Sequence, residues 1–296
     1  MARLLLSLCL LLPAFASEPT KTVIFGRGVQ AVTVPTFDQG YLLFNLPRSN
    51  SVEVWGPDGL LRFFAAAENP PGASVMSLAV DSDGSVAAAV GFSGPQGFGG
   101  GLAYFDASGK QTRFVETGKY MPAHVSFDRN HSLWTFGWQR DSSGDYEDRS
   151  NYMMFRKFSP DGSEIGRYAP RSSLPEKSAP GGTSLGQLRL RVADDRVGAL
   201  SENRVWIELG LDGRLIGKWP LGRDLQGGLA FTSDARLCRQ TPGKTVPGIE
   251  CLDRGTGGWK DAGDAPVSGL LLGAQGDELV FSRDDGVVRL YWVKVP

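Results

Sequence analysis

One tight-turn motif returns along this chain at a nearly constant interval, and it limits the fold more than any other feature. It reads "GPDGLLRFF" at 56–64, "DASGKQTRF" at 106–114, "SPDGSEIGRY" at 159–168 and "LDGRLIGKW" at 211–219. The turn glycines Gly59, Gly109, Gly162 and Gly213 follow one another by 50, 53 and 51 residues. Self-similarity at a period of roughly 40–50 residues marks repeat arrays and propellers. Each copy places Asp-Gly or Ser-Gly between residues suited to strands. The expectation is a two-residue hairpin, with positive φ at both central positions.

A second element alternates with the first. Six apolar stretches end in a turn: "VTVPTFDQG", "SLAVDSDG", "AHVSFDRN", "RLRVADD", "GLAFTSD" and "GLLLGAQG". Each is followed by further strand-like runs, but the sixth unit stops one strand short at "VVRLYWVKV". "KTVIFG" at 21–26 is left over at the other end and can supply the missing strand. Closing the ring this way also removes an open sheet edge. The chain therefore reads as all-β, a six-bladed β-propeller with four-stranded blades of about 47 residues each. The units are 29–68, 73–117, 120–170, 184–221, 226–262, and 266–296 completed by 21–26. Glycine, at 39 of 296 residues, is about twice its usual share of ~7%, as a turn-rich β protein requires. No stretch has a clear helical pattern.

The first residues, "MARLLLSLCLLLPAFASEPTK", combine one Arg, a short apolar run and an Ala-Phe-Ala site. That is the arrangement of a secretory signal, residues 1–16, cut after Ala16. A single domain over 17–296 is then expected, secreted or periplasmic, without membrane insertion and acting as a monomer. Removing Arg3 leaves 30 Lys and Arg against 32 Asp and Glu, a net charge of −2. A near-neutral chain without a basic run argues against a nucleic-acid partner. Cys238 and Cys251 remain, flanking a loop in a hairpin. Facing positions of an antiparallel pair are close enough for a disulfide, and an oxidising compartment favours one. Two buried free thiols are the alternative.

"AVDSDGSV" and "VSFDRNHSLW" carry a short Asp-Gly or Asp-Asn turn leading into a hydrophobic strand. On these the chain resembles the six-bladed propellers of the NHL-like and gluconolactonase-like class. WD-type repeats are not matched, since no unit pairs Gly-His with Trp-Asp. The gluconolactonase resemblance implies a divalent cation in the central channel, held by Glu, Asn and Asp on the innermost strands. The first such strand, "VQAVTVP", has no Glu.

Motifs with catalytic associations have plainer readings. "GTSLG" at 182–186 fits G-x-S-x-G, but a strand follows Ser184 where a nucleophile elbow needs a helix. "DSDG" at 81–84 lacks the acid spacing and the glutamate of a calcium loop. "GPQGFGGG" at 94–101 has no Lys and reads as a glycine-rich loop. His131 reads as a turn residue, and His124, within an inner strand, is a candidate to face the channel. Trp134 and Phe136 alternate on one strand face and suit packing between blades.

The long segments, 93–101, 138–151, 170–184 and 241–248, all fall at second-to-third-strand loops or blade-to-blade connections. In a propeller these share one face, and insertions gathered on one face mark a binding surface. The candidate binding residues are Trp138, Arg140, Asp145, Glu147, Arg149 and Tyr152 in the blade 3 loop. His124, Arg189 and Arg191 are placed beside them at the channel mouth. No catalytic residue, cofactor or metal ligand is assigned. The expected function is non-catalytic binding of a protein, peptide or glycan partner through this face. The alternative is a lactonase-like hydrolase or lyase using a channel-bound divalent cation.

Overall fold

The computed structural model describes residues 18–25, 35–45, 49–94, 97–139, 152–174, 190–201, 204–221, 228–242, 247–265 and 269–294. They form six four-stranded antiparallel sheets. Blade 1 comprises β2 (Thr36–Asp38), β3 (Tyr41–Phe44), β4 (Ser51–Trp55) and β5 (Leu61–Ala66). Blade 2 comprises β6 (Ser74–Val80), β7 (Val86–Gly94), β8 (Gly97–Phe105) and β9 (Gln111–Glu116). Blade 3 comprises β10 (Tyr120–Phe127), β11 (Leu133–Gln139), β12 (Met153–Phe158) and β13 (Glu164–Pro170). Blade 4 is β14 (Leu190–Val192), β15 (Arg196–Leu200), β16 (Val205–Gly210) and β17 (Leu215–Pro220). Blade 5 is β18 (Leu229–Phe231), β19 (Leu237–Thr241), β20 (Gly248–Asp253) and β21 (Gly258–Asp264).

Blade 6 contributes β22 (Leu270–Gln275), β23 (Glu278–Asp284) and β24 (Val288–Lys294), and its outer strand is β1 (Lys21–Phe25). Lys21 faces Trp292 and Phe25 faces Val288 in that pairing, so the two ends of the described chain lock one sheet. The ring closes as the leftover strand requires. Residues 1–16, read as a signal, lie outside the described residues.

The core lies between blades. Leu43, Val52 and Val54 of blade 1 pack on Val80, Ala88 and Ala103 of blade 2. Trp134, Phe136 and Phe155 of blade 3 pack on Leu190, Val197 and Ile207 of blade 4. Strand alternation produces this: one face of each twisted sheet meets the next blade, the other face the previous one. Truncating a filled position such as Phe155, fully buried in this seam, would cost about 3–5 kcal/mol. Cys238 and Cys251 face each other across β19 and β20 and form a disulfide, with Cα atoms 4.0 Å apart.

Two expectations need correction. The repeated Asp-Gly turns do join third and fourth strands, but they are not two-residue hairpins. Gly59, Gly109, Gly162 and Gly213 have φ between 79° and 87°, while the residue before each keeps negative φ. Gly59 N–H donates to the Gly56 carbonyl at 2.9 Å, and Gly56 N–H donates to Leu60 O at 2.8 Å. This is a type I turn closed by a glycine in the left-handed region, and it adds a bulge to the pairing. The aspartate has its own reason to be there: Asp58 Oδ1 accepts the Leu60 N–H, and Asp161 and Asp212 accept likewise.

The second correction concerns 93–101, expected as a loop. β7 runs to Gly94 and β8 starts at Gly97, with Gly91 facing Gly100 and Ser93 facing Phe98. The glycines serve close packing. A Cβ on Gly101 would stand 2.3 Å from the Phe114 ring, and one on Gly100 would stand 2.7 Å from the Tyr120 carbonyl oxygen.

Candidate functional site

Two places on the described ring bring polar chemistry together, at opposite ends of the inner strands. Each inner strand starts from a blade-to-blade connection and ends at a tight turn into the second strand. The face bearing connections and second-to-third-strand loops is the long-loop face; the other is the tight-turn face.

Arg191 sits on β14 beside the tight turn of blade 4. It is buried, and its guanidinium reaches across the ring to blade 1, which stands opposite blade 4. Nη2 donates to the Phe37 carbonyl at 3.0 Å and Nη1 to its neighbour Leu190 at 3.1 Å. Next to Phe37 lies Asp38, also buried, whose Oδ2 accepts the Val80 N–H of blade 2 at 3.1 Å. Burial raises the Asp38 pKa, the Arg191 charge and the Val80 N–H pull it down, and Asp81 adds a further rise; the net direction is up. Burial in turn lowers Arg191, against the opposing pull of Asp38. A guanidinium is protonated at any ordinary pH, so Arg191, bonded to the Phe37 carbonyl, acts as a charged strut across the channel, with Asp38 beside it.

This arrangement bears on the expected channel cation. Asp38 is the sole carboxylate on the described inner strands, and it faces a guanidinium. No group of three or more His, Cys, Asp or Glu side chains converges among the described residues. A divalent cation asks for several oxygen ligands around an open position. The described residues do not fit that group, and no step is built on it.

His131 adds a link on the tight-turn face. Its φ of 59° puts it at the left-handed turn position that Gly84 fills in blade 2. Nδ1 lies 3.0 Å from both carboxylate oxygens of Asp81, tying blade 3 to blade 2. The hydrogen bond and charge of Asp81 raise the His131 pKa, slightly opposed by desolvation, with Asp83 and Asp128 also raising it.

The second place is a pocket on the long-loop face between blades 3 and 4. Its floor and walls are Ala123, Phe136, Gly137, Met154 and Leu174, and its rim carries His124, Trp138, Tyr152, Arg171 and Ser201. Three turns of chain converge here. β10 and β11 bring His124 and Trp138, the approach to β12 brings Tyr152, and the 3₁₀ turn Arg171–Ser173 after β13 brings Arg171. Arg171 N–H donates to the Tyr152 carbonyl at 2.9 Å, which fixes that turn against blade 3. Ser201, in the blade 4 loop between β15 and β16, accepts the Val205 N–H on its Oγ at 3.1 Å. The space is about 40 Å³, room for roughly three water molecules.

Of the residues named from sequence, the pocket gathers His124, Trp138 and Tyr152. Arg140, Asp145, Glu147, Arg149 and Arg189 lie outside the described residues, as does Ser184. Arg191 is not at the long-loop mouth: it lies in the channel beside the tight turn. Sequence reasoning passed over Arg171, Leu174 and Ser201. Arg171 and Leu174 open the long segment 170–184, so the segment was flagged while its two pocket residues were not. Ser201 carries no pattern of its own.

No known family profile matches the chain, and no curated protein matches it. Solved structures do. The chain is similar to the WD40 repeats of RRP9, at 12% identity over 95% of this chain and 99% of that one, with a TM-score of 0.50. It is also similar to a gluconolactonase from Xanthomonas campestris, described as important in glucose secondary metabolic pathways. There the identity is 14%, over 96% of this chain and 99% of that one, with a TM-score of 0.50. At such identities the likeness is one of fold alone.

Proposed function

We propose that this chain is an exported propeller whose long-loop face binds a protein, peptide or glycan partner, with the pocket between blades 3 and 4 at the centre of recognition. The observation that supports this most is the pocket's make-up. Trp138 and Tyr152 stand half-buried at the rim of an apolar floor, beside the cation Arg171. Buried aromatic and Arg anchors on a rigid frame are where binding energy concentrates in interfaces. Export is supported by the signal-like residues 1–16 and by the Cys238–Cys251 disulfide, a bond that persists in oxidising compartments. No helix among the described residues is long and apolar enough to cross a membrane. The lactonase-like alternative lacks a carboxylate set on the described inner strands, so no reaction step is assigned to it.

The test is a paired screen of peptide and glycan arrays with the wild-type chain and its Trp138→Ala and Tyr152→Ala variants. Ligands whose signal drops about tenfold or more in both variants, at unchanged melting temperature, support the reading. Ligands that bind all three proteins equally would place recognition elsewhere.

A further inference from the structure

Resting on that reading, we infer that the blade 3–blade 4 pocket takes the C-terminal residue of a partner polypeptide. The residue's apolar side chain enters the pocket and its carboxylate pairs with Arg171.

Charge decides the first half. Arg171 lines the pocket, and its guanidinium has no hydrogen-bond or ion-pair partner among the described residues. Among the described residues no aspartate or glutamate lines the space, so the charge of the described lining is positive and suits an anion. Guanidinium matches carboxylate geometry with two parallel hydrogen bonds. Ser201 adds a donor. Its Oγ already accepts the Val205 N–H, which leaves its O–H proton to give.

Size and lining decide the second half. About 40 Å³ walled by Ala123, Phe136, Met154 and Leu174 suits one aliphatic side chain. A sugar ring carries hydroxyl donors all around its edge, and the described lining, mostly apolar, has no Asp, Glu, Asn or Gln to accept from several of them at once. Hydroxyls buried against the apolar walls and left unpaired would oppose binding. A chain terminus offers a carboxylate and an apolar side chain on the same carbon, with no further residue to accommodate. That is the combination the pocket presents in mirror image.

The experiment uses the full chain labelled with ¹³C-methyl methionine and ¹⁵N-indole tryptophan, so that Met154 and Trp138 report from within the pocket. Three probes are titrated: acetyl-Gly-Gly-Leu with a free carboxylate, the same peptide as its C-terminal amide, and 4-methylpentanoate. The peptide acid is expected to shift both resonances, with the amide about tenfold or more weaker. In Arg171→Met the acid should fall to the level of the amide, and Arg171→Lys should keep part of the difference. Equal binding of acid and amide, or an acid preference that survives Arg171→Met, overturns the inference. Equal affinity for 4-methylpentanoate overturns the polypeptide source and assigns the pocket to free carboxylic acids. If the peptide acid moves neither resonance while an array ligand moves both, the inference fails and the pocket's role in recognition stands. If nothing moves them, both fail.

Discussion

Replacing Arg191 by methionine removes the guanidinium that spans the channel but keeps most of the side chain's bulk. Two losses follow. The Phe37 carbonyl loses a charged donor at 3.0 Å, and Asp38 stays buried with its compensating cation gone. Removing one partner of a buried charge pair costs about 3–5 kcal/mol, most of it from the charge left behind. The cost has a pH signature. Asp38 already has a folded-state pKa raised by burial, and without Arg191 it rises further. An acid whose pKa is raised in the folded state binds a proton there that the unfolded chain has released. Its unfavourable contribution is therefore absent below the unfolded value of about 4 and grows as pH rises, by at most about 1.4 kcal/mol per unit, until the folded pKa is passed. Urea unfolding followed by tryptophan fluorescence at pH 4.5 and pH 7.5 measures it. Arg191→Met is expected to lose about 3–5 kcal/mol at pH 7.5 and clearly less at pH 4.5. Adding Asp38→Asn should restore most of the difference and flatten the pH dependence. A loss below about 1 kcal/mol at pH 7.5, or the same loss at both pH values, would refute the strut.

Other outcomes can be checked with the same instruments. Gly228→Ala puts a Cβ 1.7 Å from the Leu271 carbonyl oxygen, at a blade 5–blade 6 contact, and should cost about 1–3 kcal/mol by forcing backbone to shift. Replacing Cys238 and Cys251 by serine opens a link between residues 13 apart, worth about 3 kcal/mol on chain-entropy grounds, measurable as a lower urea midpoint. His131→Gly removes both a left-handed histidine and its bond to Asp81. The histidine pKa is raised in the folded state, so its stabilisation is fully present below the unfolded value of about 6.5 and is lost as pH rises through the folded value. The variant's melting temperature should fall further behind wild type at pH 5.5 than at pH 8.5, and the reverse order would contradict the His131–Asp81 pair.

Much of the fold was legible because its signals are local. A glycine turn every 50 or so residues, six apolar strands ending in turns and one spare strand at 21–26 set the blade count and the closure. The cysteine pair was legible because antiparallel register places neighbours of a hairpin opposite each other. Turn type was not, since Asp-Gly serves equally in a two-residue turn and before a bulge. The segment 93–101 misled because glycine is usually a loop residue; here Phe92, Phe98 and Phe114 need glycine opposite them to pack. The contacts between His131 and Asp81 and between Arg191 and Phe37 join residues 50 and 154 positions apart, and no spacing rule carries such pairs. The pocket was half legible. Trp138 and Tyr152 stood out as aromatics beside a long loop, whereas Arg171 and Ser201 become site residues only when two blades meet.

The central claim, that recognition takes place at the blade 3–blade 4 pocket, is tested most directly by site-specific photo-crosslinking. A photoreactive benzoylphenylalanine is placed at Ser172, an exposed residue of the turn beside Arg171, in one sample and at Phe64, a 66% exposed residue on outer strand β5, in another. Each is irradiated with the strongest ligand from the array screen. Covalent capture at position 172, and none at position 64, is the result the account predicts. Capture at 64 with position 172 silent would contradict it.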